Sequence, residues 1–198
     1  LNDQEKRNSV SGEFAALARE LSDNPLWDEK RLFTGPDVKR MKDVEFCASI
    51  VLLYRKGIID QTDQSALNQA YEELQVGYKD AERDKEAVCA AIETISLFFV
   101  SDSVTKFLRR KAQLYTLFSV VFYMQRENIE VEQYQKDRLE SFVKLYSIFD
   151  NDMDLTGEIS DQEKNLFDWL KKSKLHPLVK SCIFHYEFEF IHPFADGN

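Results

Sequence analysis

The residues best equipped for chemistry are the last seven, His192-Pro193-Phe194-Ala195-Asp196-Gly197-Asn198. They combine an imidazole base, a helix breaker, an apolar anchor, a carboxylate and a flexible corner. Proline fixes its own φ and stops a preceding helix, which displays His192 at a turn. Asp196-Gly197-Asn198 reads as the start of a new helix, where free N–H groups and the helix dipole attract phosphate. Gly197 lets a ligand approach the backbone, and Asp196 offers the hard oxygen that Mg²⁺ prefers beside phosphates. A base, a metal carboxylate and an anion cradle within one turn suit phosphoryl or nucleotidyl transfer to a hydroxyl. The same residues also read as a plain helix stop followed by a tight turn, because His-Pro and Asp-Gly-Asn serve both purposes.

These seven residues need elements that position them. His176-Pro177 opens a helix, with proline in the first turn where its missing donor matters least. Leu178, Cys182, Ile183, Tyr186 and Phe190 form its buried face and lead to His192. Upstream, Ser160-Asp161-Gln162-Glu163 is a capping box for a short amphipathic helix through Leu166, Trp169 and Leu170, with Lys171 and Lys172 suited to its C-terminal dipole. Asp150-Asn151-Asp152-Met153-Asp154 has the oxygen spacing of a calcium loop. It fails at Leu155, where the sharp turn needs glycine, and has the short Asp161 at the twelfth position. A solvated acidic linker over 150–160 is the better reading.

The earlier chain is helical in pattern. Asn2-Asp3-Gln4-Glu5 resembles a capping box, and the weak helix after it breaks at Ser11-Gly12. Phe14, Leu17, Ala18 and Leu21 recur at helical spacing and end at Asn24-Pro25. Trp27 and Phe33 read as core plugs in a connection closed by Gly35-Pro36. A long helix is expected from Asp37, with Met41, Val44, Cys47, Ala48, Val51 and Tyr54 inward and Gly57 as terminator. Further helices are expected from Thr62 to Tyr78, from Ala81 to Val100, and after the Ser101-Asp102-Ser103 cap cluster. The last of these carries Phe107 through Phe122, with Lys106, Arg109, Arg110 and Lys111 as a solvated opposite face. Val131–Phe149 completes the series, burying Tyr134, Leu139, Phe142, Leu145, Tyr146 and Phe149. No strand pattern exceeds the ambiguous Ser96–Val100 run, so the expected fold is all-α, a multi-helix array.

Composition agrees. Only 6 Gly and 4 Pro in 198 residues argue against a turn-rich sheet protein. A net charge of −9 repels nucleic acid and argues against DNA as the partner of this segment. Cys47, Cys89 and Cys182 lack metal-like spacing and read as buried free thiols of a reducing compartment. With no signal peptide or membrane-length apolar run, the expected location is cytoplasmic and no membrane partner is expected. The chain opens on Leu1, so the natural start is expected upstream.

The closing motif resembles the opening of the Fic signature, His-Pro-Phe-x-(Asp/Glu)-Gly-Asn-Gly-x-x-Arg. Leu175-His176-Pro177-Leu178 and His185-Tyr186-Glu187-Phe188-Glu189-Phe190-Ile191 resemble the helix leading into it, so the likeness covers about 165–198. Fic proteins are helical enzymes, most of which move AMP from ATP to a target hydroxyl. The resemblance implies ATP and Mg²⁺ as cofactors and, as partner, a protein bearing a Ser, Thr or Tyr hydroxyl. His192 would be the general base, Asp196 the Mg²⁺ ligand, and Gly197 and Asn198 the start of the nucleotide-binding anion hole. No upstream flap hairpin is recognisable. The nearest counterpart of the inhibitory Ser/Thr-x-x-x-Glu-(Gly/Asn) is Glu127-Asn128, with Tyr123 in the hydroxyl position, so no built-in inhibitor is expected. The signature's next Gly and its Arg are not in the chain. Losing even one oxyanion-type donor costs about 2.7–4 kcal/mol of transition-state stabilisation, so residues 1–198 alone are expected to be inactive.

A second resemblance covers about 1–155. Leu1-Asn2-Asp3-Gln4-Glu5-Lys6-Arg7-Asn8 and Lys39-Arg40-Met41-Lys42-Asp43-Val44-Glu45-Phe46 are similar to the helical region of GmrSD-type restriction proteins. The ParB-like nuclease domain of that family lies upstream of this region, which would make residues 1–155 a helical scaffold or partner surface. Two domains are therefore expected, 1–155 and a partial Fic-like segment at 156–198.

Overall fold

The computed structural model describes residue 7 and residues 12–58, 64–151, 159–175, 179–180, 182–184 and 186–187, some helical positions by backbone alone. Among them are ten helices and no strand, the all-α array that the periodicity predicts. The chain divides into two units, Leu1–Lys144 and Leu145–Asn198.

In the first unit, α1 (Glu13–Ser22) buries Phe14, Leu17, Ala18 and Leu21, the residues its spacing selects. Gly12 at its N-terminus is a close-approach position. A Cβ there would stand 3.0 Å from the backbone of Gln75, whose carbonyl accepts from the Glu13 N–H at 3.1 Å. Asn24-Pro25 stops one helix and starts the next. Asn24 accepts from the Leu26 N–H, and proline takes the first turn of α2 (Pro25–Glu29). Gly35-Pro36 likewise opens α3 (Gly35–Lys39) rather than closing a loop, because Thr34 and Asp37 form a full capping box.

The expected single helix from Asp37 is broken. Met41 takes a left-handed conformation with φ of 56°, and α4 (Lys42–Lys56) starts after it. Gly57, with φ of 82°, ends α4 as expected, its N–H bonded to the Leu53 carbonyl at 3.0 Å. Val44 and the continuous run Phe46–Leu53 are buried, which makes α4 the central helix. It packs against α1, α3, α5 (Ser65–Glu73), α6 (Ala81–Ser96) and α8 (Lys111–Arg126).

Three further boundaries differ from the sequence pattern, the first being that the helix expected to reach Tyr78 ends at Glu73. The helix expected to reach Val100 ends at Ser96, because the N–H groups of Leu97 and Phe98 turn back three residues to Thr94 and Ile95. The helix expected after Ser101 is two, α7 (Asp102–Leu108) and α8, since Arg110 is extended at φ −72° and ψ 119°. The basic run therefore does not form one helix face. Lys106, Arg109 and Arg110 are exposed, while Lys111 is half-buried, donating to the Leu32 carbonyl with its Nζ 4.0 Å from the Phe33 ring centre. Burial lowers the Lys111 pKa.

Trp27 is the core plug its composition suggests. It is buried, its indole N–H donates to the Leu21 carbonyl at 2.8 Å, and its ring meets Phe33, Phe46 and Phe118 within 6.4 Å. Phe33 is only half-buried. In α9 (Gln133–Asn151), Tyr134 is 59% exposed rather than buried, because it pairs with Arg138 one turn on instead of with the core. Of the three free thiols, Cys47 is buried and pushed well up in pKa by that burial, whereas Cys89 and Cys182 are only half-buried.

Candidate functional site

The second unit carries the helices that precede the closing motif. Helix α10 (Ile159–Lys172) begins one residue before the expected cap Ser160 and ends in Lys171 and Lys172, which complement its dipole. Leu166 is buried, and Trp169 and Leu170 are half-buried along the expected apolar stripe. The end of the helix is closed from two directions. The Ser173 N–H bonds the Trp169 carbonyl at 2.8 Å, and the Lys180 ammonium donates to the carbonyls of Leu170 at 3.5 Å and Ser173 at 3.4 Å. A lysine on terminal carbonyls meets acceptors that the helix itself leaves open.

Residues 179–180, 182–184 and 186–187 are helical, as the pattern after Pro177 requires. Cys182, Ile183 and Tyr186 of the predicted inward face are half-buried, while Leu178 and Phe190 lie outside the described residues. Tyr186 fixes this segment on the end of α9: its hydroxyl shares a hydrogen bond with that of Tyr146, and the rings lie 5.5 Å apart at 43°. Next to it, Glu187 is half-buried, and burial alone pushes its carboxyl above the usual range. The only hint of this in the sequence is a carboxylate amid the aromatics of Tyr186-Glu187-Phe188.

All four predicted site residues, His192, Asp196, Gly197 and Asn198, lie outside the described residues. So do His176 and His185, and most of the calcium-like stretch; its Asp150 and Asn151 belong to α9. Among the described residues, no group of three His, Cys, Asp or Glu side chains could hold a metal ion. No helix there is long and apolar enough to cross a membrane.

Glu187 gives a pH test of the lead-in helix. A carboxyl whose folded pKa is raised favours the protonated folded state. Its penalty is therefore absent well below the unfolded value of about 4.5 and grows as pH rises from there through the folded pKa. Glu187→Gln is expected to raise the urea midpoint at pH 7 and to leave it unchanged near pH 3.5. An equal gain at both pH values would show that the effect is not ionisation.

The first unit holds polar clusters that sequence reading did not single out. Asp84 is fully buried. Its Oδ2 accepts from Arg55 at 2.5 Å and Tyr78 at 2.6 Å, and its Oδ1 from Arg83 at 3.0 and 3.2 Å. Every strong acceptor position is filled, which makes this a fastening between α4 and α6 rather than a reactive carboxylate. Arg7, 5% exposed, similarly ties its segment to Asn68 at 2.7 Å, Gln64 at 2.5 Å and Glu45 at 3.5 Å. A groove of about 450 Å³ opens between the end of α2 and the start of α7, lined by charged residues from both.

Residues 113–198 match the family model of the Fic/DOC family. The matched stretch begins inside α8, takes in α9 and α10, and reaches the seven closing residues. It starts well upstream of the 165–198 segment that the motifs alone delimit. No curated protein and no solved structure matches the chain. The likeness of residues 1–155 to GmrSD-type proteins has no counterpart in these comparisons.

Proposed function

Proceeding from the Fic/DOC match over residues 113–198, we propose that this segment belongs to a nucleotidyltransferase that moves AMP from ATP to a Ser, Thr or Tyr hydroxyl of a protein. The observation that carries this reading is that the matched stretch includes His192 through Asn198, whose residue types are those the reaction needs. His192 takes the proton of the target hydroxyl as its oxygen attacks the α-phosphorus. The bond from the α-phosphorus to the bridging oxygen breaks, and pyrophosphate leaves with its electron pair. Asp196 is the residue to hold Mg²⁺, whose preferred surroundings of one or two carboxylates plus phosphate oxygens fit this donor set. When present, that ion neutralises phosphate charge. Gly197 and Asn198 contribute backbone N–H groups to the anion site at a helix start. A cytoplasmic location accords with three free thiols.

The test uses the full gene product and ATP labelled in turn at the α- and γ-phosphates. Acceptor proteins are expected to retain the α label and not the γ label, in a Mg²⁺-dependent manner. Asp196→Ala is expected to weaken transfer by about 10²-fold, the scale of losing a charge-stabilising contact. Retention of the γ label would identify phosphorylation and overturn the reading. An unchanged rate in Asp196→Ala would remove that residue from the metal role.

A further inference from the structure

The groove between α2 and α7 lies wholly in the first unit and outside the Fic/DOC match. Three cations line it, Lys30, Arg31 and Arg109, against two acids, Glu29 and Asp102. That is a local positive excess on a chain of net charge −9. Among the described residues, no ion pair joins any of the three cations to a carboxylate. Arg31 is exposed and sits on left-handed backbone with φ of 51°, a conformation that disfavours any residue with a side chain. The Arg109 Nε–H donates to the Lys30 carbonyl at 3.2 Å, which holds the two cationic elements together across the opening. The rim is apolar on one side. Lys30 stands 5.6 Å from the Phe99 ring centre, and Val100 is 43% exposed. Leu97, one turn earlier in the chain, is 51% exposed.

We propose that this groove is a docking surface for an acidic peptide segment of another protein, one that alternates carboxylates with an apolar side chain. The carboxylates pair with Arg31, Arg109 and Lys30, and the apolar side chain covers Val100 and the edge of Phe99. Charge complementarity selects an acidic partner over a basic one. The spread of the cations over two elements and the exposed apolar rim suit an extended segment, whereas a small anion needs convergent donors and leaves Val100 uncovered. Nucleic acid is a poorer occupant. Such binding rests on neutralising many phosphates along a backbone, more than three cations reach, whereas a short peptide segment presents only a few carboxylates.

The probe is a fluorescein-labelled twelve-residue peptide alternating Asp and Leu, followed by anisotropy with the intact chain. Saturable binding that weakens with added salt is expected, and no saturation by about 1 mM peptide would overturn the proposal. Lys30→Glu with Arg31→Glu should weaken binding about tenfold, and Val100→Asp about threefold, as lost charge and apolar contacts require. Arg31→Gly relieves the left-handed backbone, so it keeps the fold while removing the guanidinium; it too should bind several-fold more weakly. Full affinity in Arg31→Gly, equal binding of the Asn-for-Asp peptide, or displacement by millimolar inorganic phosphate at constant ionic strength would each overturn the proposal. The last result would reassign the groove to small anions. None of these outcomes depends on nucleotidyl transfer.

Discussion

Asp84→Ala is expected to lower the stability of the first unit by about 3 kcal/mol, the low end of what removing one partner of a buried ion pair costs. The carboxylate is 0% exposed and receives Arg55, Tyr78 and Arg83 together. Without it, the Tyr78 hydroxyl loses its acceptor, and Arg55, whose guanidinium also lies 5.1 Å from the Tyr78 ring, loses its closest counter-charge. Two features keep the cost near the lower bound. The Arg55 side chain is 23% exposed and can recover some water, and Asp80 remains at 3.5 Å. Tyr78→Phe, which removes one donor and leaves the ion pair, should cost about 1 kcal/mol. Arg83→Ala should scarcely move the urea midpoint, since that side chain is 62% exposed. An Arg55→Met, Tyr78→Phe, Asp84→Leu triple variant should recover most of the loss, because apolar side chains of similar volume leave neither a desolvated ion nor an unpaired hydroxyl. Urea unfolding followed by helical circular dichroism orders these variants. A midpoint for Asp84→Ala equal to that of the parent chain would refute the fastening role.

On the proposed function, His192→Ala is expected to slow AMP transfer by about 10²- to 10⁴-fold in the full gene product, the range that general-base catalysis contributes. Under the proposed mechanism the loss should fall on kcat, with KM for ATP little changed, because the imidazole would act on the target hydroxyl and not on the nucleotide. The pH profile carries a second signature. A base must be unprotonated to act, so the parent rate should fall on the acid side, and the residual rate of the variant should lose that fall. Undiminished transfer by the variant would remove His192 from catalysis. A proportionate loss of ATP binding would instead give it a role in holding the nucleotide.

Much of the helical framework is legible as periodicity. Phe14, Leu17, Ala18 and Leu21 face inward in α1 as their spacing requires, and Gly57 ends α4 because a left-handed position there suits glycine. The breaks are less legible. Met41 has no sequence mark of a left-handed residue, and the apolar pattern runs through it without interruption. Arg110 sits extended between two helices in a run that reads as continuous charge on one face. Asn24-Pro25 and Gly35-Pro36 carry an ambiguity of their own, since proline after a cap is as much a first turn as a stop.

By itself, the sequence determined the all-helical class, most inward faces, and the residue types gathered from His192 to Asn198, because each of these is written in neighbours a few positions apart. Only the tertiary structure decided that Arg55 meets Asp84 across 29 positions, Tyr146 meets Tyr186 across 40, and Arg109 meets Lys30 across 79. Those meetings depend on where helices break and how they pack within each unit. Such geometry comes from the summed contacts of many side chains, and no local spacing records it.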